Sequence, residues 1–321
     1  MVKMDGMLSE CKSISTGVPQ GSILGPLLFI LYINDLPACI RESNSVIYAD
    51  DTTIFASSSI PGNIEYALNE DMKNVCKWFR ANRLKLNVDK TQLLVIYPNK
   101  MRDRFDNINI FVQGRHVQRE SHIKVLGVHL EENLKWAKHI QIMLRNVKYQ
   151  YRAYSRSIKY FDKDTRLLMY NSAIASRLNY ADSIWSDCTL RDRGSLQTVQ
   201  NMAIRRMVNA RPLESCKPIL ANLGMLTLER KRNLRSLVLF YNLVNGRGPV
   251  ALRRELHKYQ LSSIGQHGTR MNRKGGYYIP SYNTDYRGNS FFIRTIKLWN
   301  RLPDMFAMLP RAKSSKIKFI Y

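Results

Sequence analysis

The sequence predicts an α+β fold: an antiparallel sheet with helices on one side, followed by helices through to the C-terminus. Three observations carry this. Short β-branched and aromatic runs bounded by turn signals recur early in the chain, at Val46–Phe55, Ile108–Val112 and Ile123–Leu130. Apolar residues repeat at steps of three and four over 63–81 and 137–159, the spacing of a helix with one packed face. Beyond residue 160 the pattern is mainly helical, with candidate helices at 165–178, 195–209 and 228–244 broken near Gly194, Pro212, Pro218 and Gly224. With 321 residues, 45% of them apolar, the chain has room for a sizeable core and two or three domains.

Residues 1–16 read as a small hairpin around Asp5-Gly6, which makes Asp5 a turn residue. The loop Gly17 to Gly25 carries three glycines and a proline around Gln20 and Ser22. Such a loop allows close backbone approach and offers amides to an anion at the start of a helix, or serves only as a helix-entry turn. Leu24–Asp35 reads as a buried helix, because its apolar run lacks period-two alternation. Next, Asp50 and Asp51 sit at the turn of a hairpin. Side chains alternate along a strand, so only a turn lets neighbouring aspartates approach one point. Two carboxylates there repel unless a cation lies between them, and hard divalent metals take carboxylate oxygens. That points to metal-assisted phosphoryl or nucleotidyl transfer. The plainer reading is an acidic surface turn.

Ile64, Leu68, Met72, Val75 and Phe79 form the stripe that packs the following helix on the sheet. Leu84–Thr91 leads into a strand-like Gln92–Tyr97. Ile108, Ile110 and Val112 then alternate before a Gln113-Gly114-Arg115 turn. Ile123–Leu130 reads as one strand interrupted at Gly127, by a bulge or a close approach, with His122 and His129 as polar strand residues. Over 137–159, Ile140, Leu144, Val147, Tyr151, Tyr154 and Ile158 make the packed stripe. Lys138, Arg145, Lys148, Arg152, Arg156 and Lys159 fall on an adjacent face, suited to phosphates or simply solvated. Residues 260–290 are rich in Gly, Ser and Asn, and interleave Arg270, Arg273, Lys274 and Arg287 with Tyr277, Tyr278, Tyr282 and Tyr286. This reads equally as a contact for unpaired bases or as a partly ordered loop.

The formal charge of +25 is uneven: residues 1–60 hold three basic against six acidic residues, leaving 47 basic against 19 acidic beyond them. An acidic block followed by a long basic body fits a polyanion held by the body and processed at the block. The five cysteines are scattered, with no zinc-ligand spacing among them or the histidines, and read as reduced and mostly packed. The longest apolar stretch, Ile23 to Ile33, is too short to span a bilayer, and no charged-then-apolar leader opens the chain. The expectation is an intracellular protein, nuclear or cytoplasmic, not secreted and with no membrane partner.

Tyr48-Ala49-Asp50-Asp51, with Gly17-Val18-Pro19-Gln20-Gly21-Ser22 upstream, resembles the palm of reverse transcriptases, specifically those of non-LTR retrotransposons of the animal, jockey-like type. Leu84-x-Leu86-Asn87-x-x-Lys90-Thr91, the Leu126-Gly127 pair and the closing segment from Ser290 through Leu298-Trp299-Asn300-Arg301-Leu302-Pro303 are similar to the same family. The resemblance implies a partial palm over 1–134, thumb-like helices over 135–190, and a basic, mainly helical region over 191–321 with a flexible segment at about 260–290. It implies an RNA-directed DNA polymerase in which two metals assist attack of a primer 3′-hydroxyl on a deoxynucleotide α-phosphate, with Mg2+ as cofactor or Mn2+ in its place. Asp50 would be the principal metal ligand and Asp51 the secondary one. Gln20, Gly21, Ser22 and Tyr48 would lie at the template and nucleotide, Lys90 by the pyrophosphate, Leu126 and Gly127 at the primer end, and the six cations of 138–159 along the duplex phosphates. The implied partners are an RNA template, a DNA primer or target and deoxynucleoside triphosphates, with oligomeric state left open.

In the family the fingers and the palm strand bearing the first metal-binding aspartate lie upstream, and Asp5 does not match that aspartate. The chain by itself is therefore expected to be inactive, and poorly soluble through an exposed sheet edge. The alternative is a non-catalytic nucleic-acid-binding remnant of a retroelement. A group II intron maturase ranks below both, because the C-terminal half resembles retrotransposons.

Overall fold

The computed structural model describes residues 3–10, 17, 21–260 and 277–302. They fall into two units, Met1–Ile123 with Glu131–Asn133, and Lys124–Leu130 with Leu134–Tyr321.

In the first unit, β1 (Lys3–Met4) and β2 (Met7–Leu8) pair around Asp5 and Gly6, whose φ values of 49° and 85° give the reversal expected of that dipeptide. Helix α1 (Leu24–Ile33) follows, then the hairpin β3 (Asn44–Tyr48) and β4 (Asp51–Phe55), the long helix α2 (Pro61–Ala81), the short α3 (Arg102–Phe105) and a second hairpin, β5 (Phe111–Val112) with β6 (Arg115–His116). The α2 stripe packs as its spacing predicts, on two clusters. Ile64, Leu68 and Met72 meet Val95, Phe105, Ile108 and Ile110, while Val75 and Phe79 join Ile33, Leu36, Ile47 and Ile54 beneath the first hairpin. Arg119 ties the strandless stretches together, donating to Asp106 at 2.7 Å, Glu132 at 3.0 Å and the Tyr97 hydroxyl at 2.5 Å.

Three expectations need correction here. The strands form four separate two-stranded ladders among the described residues, not one sheet, because each is two to five residues long and turns back on itself. Gln92–Tyr97 is not a strand: it meets a neighbour only through the Leu93–Arg119 bridge, although Val95 is buried. Helix α1 forms but is not buried. Ile33 and Phe29 pack on the hairpin cluster, whereas Leu24 and Leu31 are 63% and 65% exposed, and Leu27, Leu28 and Ile30 are exposed with them. A helix apolar all round needs neighbours on every side, and α1 has them on one flank among the described residues.

The chain crosses between the units at β7 (His122–Val125) and β8 (Val128–Glu131). These are two paired strands rather than the single interrupted one expected. Leu126 and Gly127 both take positive φ, 46° and 82°, and two such residues in succession reverse a chain instead of bulging it.

The second unit is helical: α4 (Ala137–Ser157), α5 (Lys163–Tyr170), α6 (Ser176–Leu178), α7 (Asp182–Trp185), α8 (Leu190–Met207), α9 (Cys216–Asn222), α10 (Leu228–Val244), α11 (Val250–His257), α12 (Asp285–Gly288) and α13 (Phe291–Trp299). Its first core gathers Ile140, Val147 and Tyr154 of α4 with Ile158, Tyr170, Ile174, Leu178, Trp185, Leu196 and Ile204, with Leu144 and Tyr151 packed at its edge. The predicted helix 165–178 is α5 continued through a wider turn, Asn171–Ala175, into α6. Gly194 does not break the chain. Helix α8 runs through it, started by Thr189, whose Oγ1 accepts from the Asp192 amide at 3.2 Å and donates to the Asp192 carboxylate at 2.7 Å. Pro218 likewise lies in the first turn of α9, where a missing N–H leaves no gap. Trp185 is fully buried under the Arg232 guanidinium, 4.5 Å from the ring centroid.

A second core joins Leu237, Phe240, Leu243, Ile296 and Trp299 to Tyr277. Tyr277 packs edge-on to Phe240, so its ring is core and is not offered to a base, whereas Tyr282 and Tyr286 are exposed. Asn300 brackets the Tyr277 backbone, accepting from its amide at 3.2 Å and donating to its carbonyl at 2.8 Å, which gives the closing segment a structural role. Arg270, Arg273 and Lys274 lie outside the described residues, as do Cys11 and Pro303. Cys39, Cys76, Cys188 and Cys216 are free thiols. Among the described residues no helix is long and apolar enough to cross a membrane.

Candidate active site and nucleic-acid interface

Hairpin β3–β4 closes with Tyr48 opposite Asp51, leaving Ala49 and Asp50 as the two turn residues. Cross-strand partners share a face, so the Asp51 side chain rises beside Tyr48, with Val46 and Thr53 behind them. Ile47 and Ile54 on the opposite face hold the hairpin onto Ile33, Leu36 and Val75. Ala49 takes a φ of 52°, a region that costs a residue with a Cβ roughly 1–2 kcal/mol and is common at ligand-binding turns. Both carboxylates are exposed, and neither forms a hydrogen bond or ion pair with a described residue. Adjacent, solvated and acidic, they suit Mg2+, which keeps several waters and takes one or two protein carboxylates together with substrate phosphates. Among the described residues no group of three or more His, Cys, Asp or Glu side chains is placed to hold a metal.

What fixes the hairpin is a residue that the sequence reading passed over. Asp71 of α2 is 0% exposed, and its carboxylate accepts from the amides of Arg41 at 2.8 Å, Glu42 at 3.1 Å and Ser43 at 2.7 Å and from the Ser43 hydroxyl at 2.6 Å. The three amides belong to the segment leading directly into β3, so α2 sets where the hairpin begins. Burial by itself would raise the Asp71 carboxyl, but the donors (the Arg41 amide foremost, then the Ser43 hydroxyl and the Glu42 and Ser43 amides) outweigh it and hold the group below the usual carboxylate range. The available signal was an aspartate lying on the apolar face of α2, between the buried Ala67 and Val75.

Gly21 has a φ of 84°, and the Ser22 hydroxyl accepts from the Gly25 amide at 3.0 Å, so Ser22 caps α1. Gln20 lies outside the described residues. Lys90 ends a short turn, Val88–Lys90, with its side chain exposed. Its backbone amide is held by Asn87 Oδ1 at 3.2 Å, and Thr91 Oγ1 donates to the Asn87 carbonyl at 3.1 Å. The asparagine and threonine of that signature therefore shape the turn that presents the lysine.

In the second unit the turn Leu126-Gly127 is buttressed by Tyr180, whose hydroxyl donates to the Leu126 carbonyl at 2.6 Å. A Cβ on Gly127 would lie 3.2 Å from the Tyr180 ring. Behind the turn, His139 Nδ1 accepts from the His129 amide at 3.4 Å, and burial, then the neighbouring His129 ring, push the His139 imidazole down to about 4. Lys138, Arg145, Lys148, Arg152 and Arg156 are exposed along α4, and Lys159 follows in the next turn. Arg205 and Arg206, at the end of α8, come against the last turns of α4, a meeting that no local pattern announces.

Comparison with known proteins bears on this arrangement. Residues 1–160 match the family of reverse transcriptases (RNA-dependent DNA polymerases). The chain is 27% identical over 227 residues to a probable RNA-directed DNA polymerase from transposon BS of Drosophila melanogaster, covering 65% of this chain and 24% of that protein. It is 25% identical over 219 residues to the RNA-directed DNA polymerase from mobile element jockey of the same species, with the same coverage. To the probable RNA-directed DNA polymerase from transposon X-element it is 24% identical over 213 residues, covering 64% of this chain and 23% of that protein. The chain thus spans about a quarter of the length of these curated relatives. No solved structure matches it significantly.

Proposed function

Since residues 1–160 belong to the reverse transcriptase family, we propose that this chain is part of the RNA-directed DNA polymerase of a non-LTR retrotransposon and that the β3–β4 tip is its metal-holding site. The observation that carries the reading is the pair Asp50 and Asp51, unpartnered among the described residues and side by side at the tip of a hairpin whose open end Asp71 holds. Asp50 and Asp51 would hold Mg2+ or Mn2+. An ion held there would lower the pKa of a primer hydroxyl and offset charge on the phosphates. Tyr48, on the same face as Asp51, packs beside the incoming nucleotide, with Gly21 and Ser22 toward the template. Lys90 is a flexible cation for the pyrophosphate, presented by the turn that Asn87 and Thr91 shape. Leu126 and Gly127 form a stiff reverse turn for the primer end, and the exposed cations of α4 take duplex phosphates. On this reading 1–134 is palm, 135–190 thumb-like, and 191–321 a basic helical appendage.

The test uses the full chain with an RNA template annealed to a DNA primer and a deoxynucleoside triphosphate. Mn2+ binding followed by electron paramagnetic resonance should show a site that strengthens with template–primer and nucleotide, and that Asp50→Asn together with Asp51→Asn removes. Unchanged Mn2+ binding in that double variant would overturn the assignment. A second reading, nucleic-acid binding without turnover, is favoured by the exposed cations Arg145, Lys148, Arg152 and Arg156 along α4, which need no metal to hold phosphates. Primer extension separates the two. Metal-dependent incorporation lost in Asp50→Ala supports the polymerase, and salt-sensitive binding with no incorporation supports the binder.

A further inference from the structure

Cations from two helices distant in sequence converge at the C-terminal half of α4. Arg152, Arg156 and Lys159 come from one side, Arg205 and Arg206 from the other. Arg206 donates through Nε and Nη2 to the Ser155 carbonyl, both at 3.1 Å, and Arg205 Nε donates to the Glu214 carbonyl at 2.7 Å. Those acceptors are neutral, so they orient the guanidiniums without cancelling their charge. Between the helices lies a cavity of about 770 Å³ lined by Arg156, Lys159, Tyr160, Met202, Arg205 and Arg206 among others, with no carboxylate among the described residues of its wall. A second cavity of about 450 Å³, which shares Ser155 and Arg156 with the first, extends the groove toward Arg152 and Tyr149.

The groove also presents large rings to water. Tyr160 is 75% exposed, with the Lys159 ammonium 4.7 Å from its ring centroid, and Tyr149 is 69% exposed. Cations without acids select an anion, and exposed rings among them select an anion that carries flat apolar faces. A nucleic-acid strand supplies both. In a duplex those faces are already stacked on one another, so the rings gain contact only with unpaired bases.

We infer that the α4–α8 groove is a binding site for single-stranded nucleic acid, with phosphates on Arg156, Arg205 and Arg206 and a base stacked on Tyr160. This rests on the nucleic-acid reading given above and adds the strand state and the residues of α8.

The experiment is fluorescence anisotropy with the full chain and three labelled probes: a short oligouridylate, its oligothymidylate counterpart and a duplex of equal length. Tyr160→Ala should weaken binding of a single strand about tenfold, the scale of one lost base–ring stack, while duplex binding changes less than twofold. Tyr160→Phe should restore the single-strand affinity, since stacking needs the ring and not the hydroxyl. Arg156→Ala should weaken the same probe and reduce its log–log salt slope by about 0.7, the release expected for one phosphate contact on a single strand. A loss in the RNA arm, the DNA arm or both supports the inference. Equal losses on single strand and duplex in Tyr160→Ala, or no loss on either single strand, overturn it while leaving nucleic-acid binding intact. If the unaltered chain binds none of the three probes, the nucleic-acid reading itself fails.

Discussion

Replacing Asp71 by alanine should uncouple the acidic hairpin from the helix beneath it. The carboxylate accepts four hydrogen bonds inside a site closed to solvent, three of them from successive amides. A hydrogen bond to a charged group contributes about 1.5–3 kcal/mol, and a buried donor left without an acceptor costs about 1–3 kcal/mol. The contributions overlap, since the 41–43 segment can swing toward water once released, so the expected loss is about 4 kcal/mol rather than their sum. Asp71→Asn keeps one acceptor oxygen and should lose roughly half as much. Hydrogen exchange is the assay, because it reads the amides of Arg41, Glu42 and Ser43 directly. In Asp71→Ala their protection should fall with that of β3 and β4, while amides in α4 and α8 stay as they were. The pH dependence follows from the same contacts. The folded carboxyl lies below its ordinary value near 3.8, so the unfolded chain takes up the proton first as pH falls. The contribution is complete above that value and is lost as pH drops through the lower, folded one. Retained protection at 41–43 in Asp71→Ala, or a loss of less than about 1 kcal/mol, would refute the reasoning.

Other consequences are as direct. Gly127→Ala places a Cβ at positive φ and 3.2 Å from Tyr180, and should lower the stability of the second unit by about 1–2 kcal/mol in a thermal melt. His139, held neutral down to about 4, opposes folding once the unfolded chain charges near 6.5. Stability of that unit should be complete above pH 6.5 and fall by roughly 3 kcal/mol as pH drops to 4, with His139→Gln flattening the profile. Arg145→Ala and Lys148→Ala should each reduce the log–log salt slope of duplex binding by about 0.9 if α4 grips phosphates, as titrations at several salt concentrations would show. Leu27→Glu with Leu31→Glu should raise the concentration at which light scattering detects association, yet shift unfolding by less than about 0.5 kcal/mol, because those side chains are exposed already.

Local patterns made much of this legible. The hairpin with Asp50 at its turn, the stripe of α2, the two faces of α4 and the span of α10 are each written within a few turns of chain, where spacing alone fixes the geometry. Gly127 was legible as an irregularity, but only the positive φ of Leu126 beside it makes the feature a turn. Gly194 misled because a well-capped helix with tertiary packing absorbs a glycine at a cost of about 1 kcal/mol. Asp71 and the meeting of Arg205–Arg206 with α4 escaped for another reason: the partners lie about thirty and fifty residues away, and no periodicity encodes which surfaces will meet.

The tryptophans are divided unequally between the two units. Trp136, Trp185 and Trp299 are buried in the second, Trp185 with a guanidinium stacked on its indole, while the first holds only the half-buried Trp78. Three of the four intrinsic fluorophores of this kind therefore report on the helical half. A melting curve read at the emission maximum would be dominated by that half, and a spectroscopist would need Trp78 alone, with the other three replaced by phenylalanine, to watch the acidic hairpin open without interference.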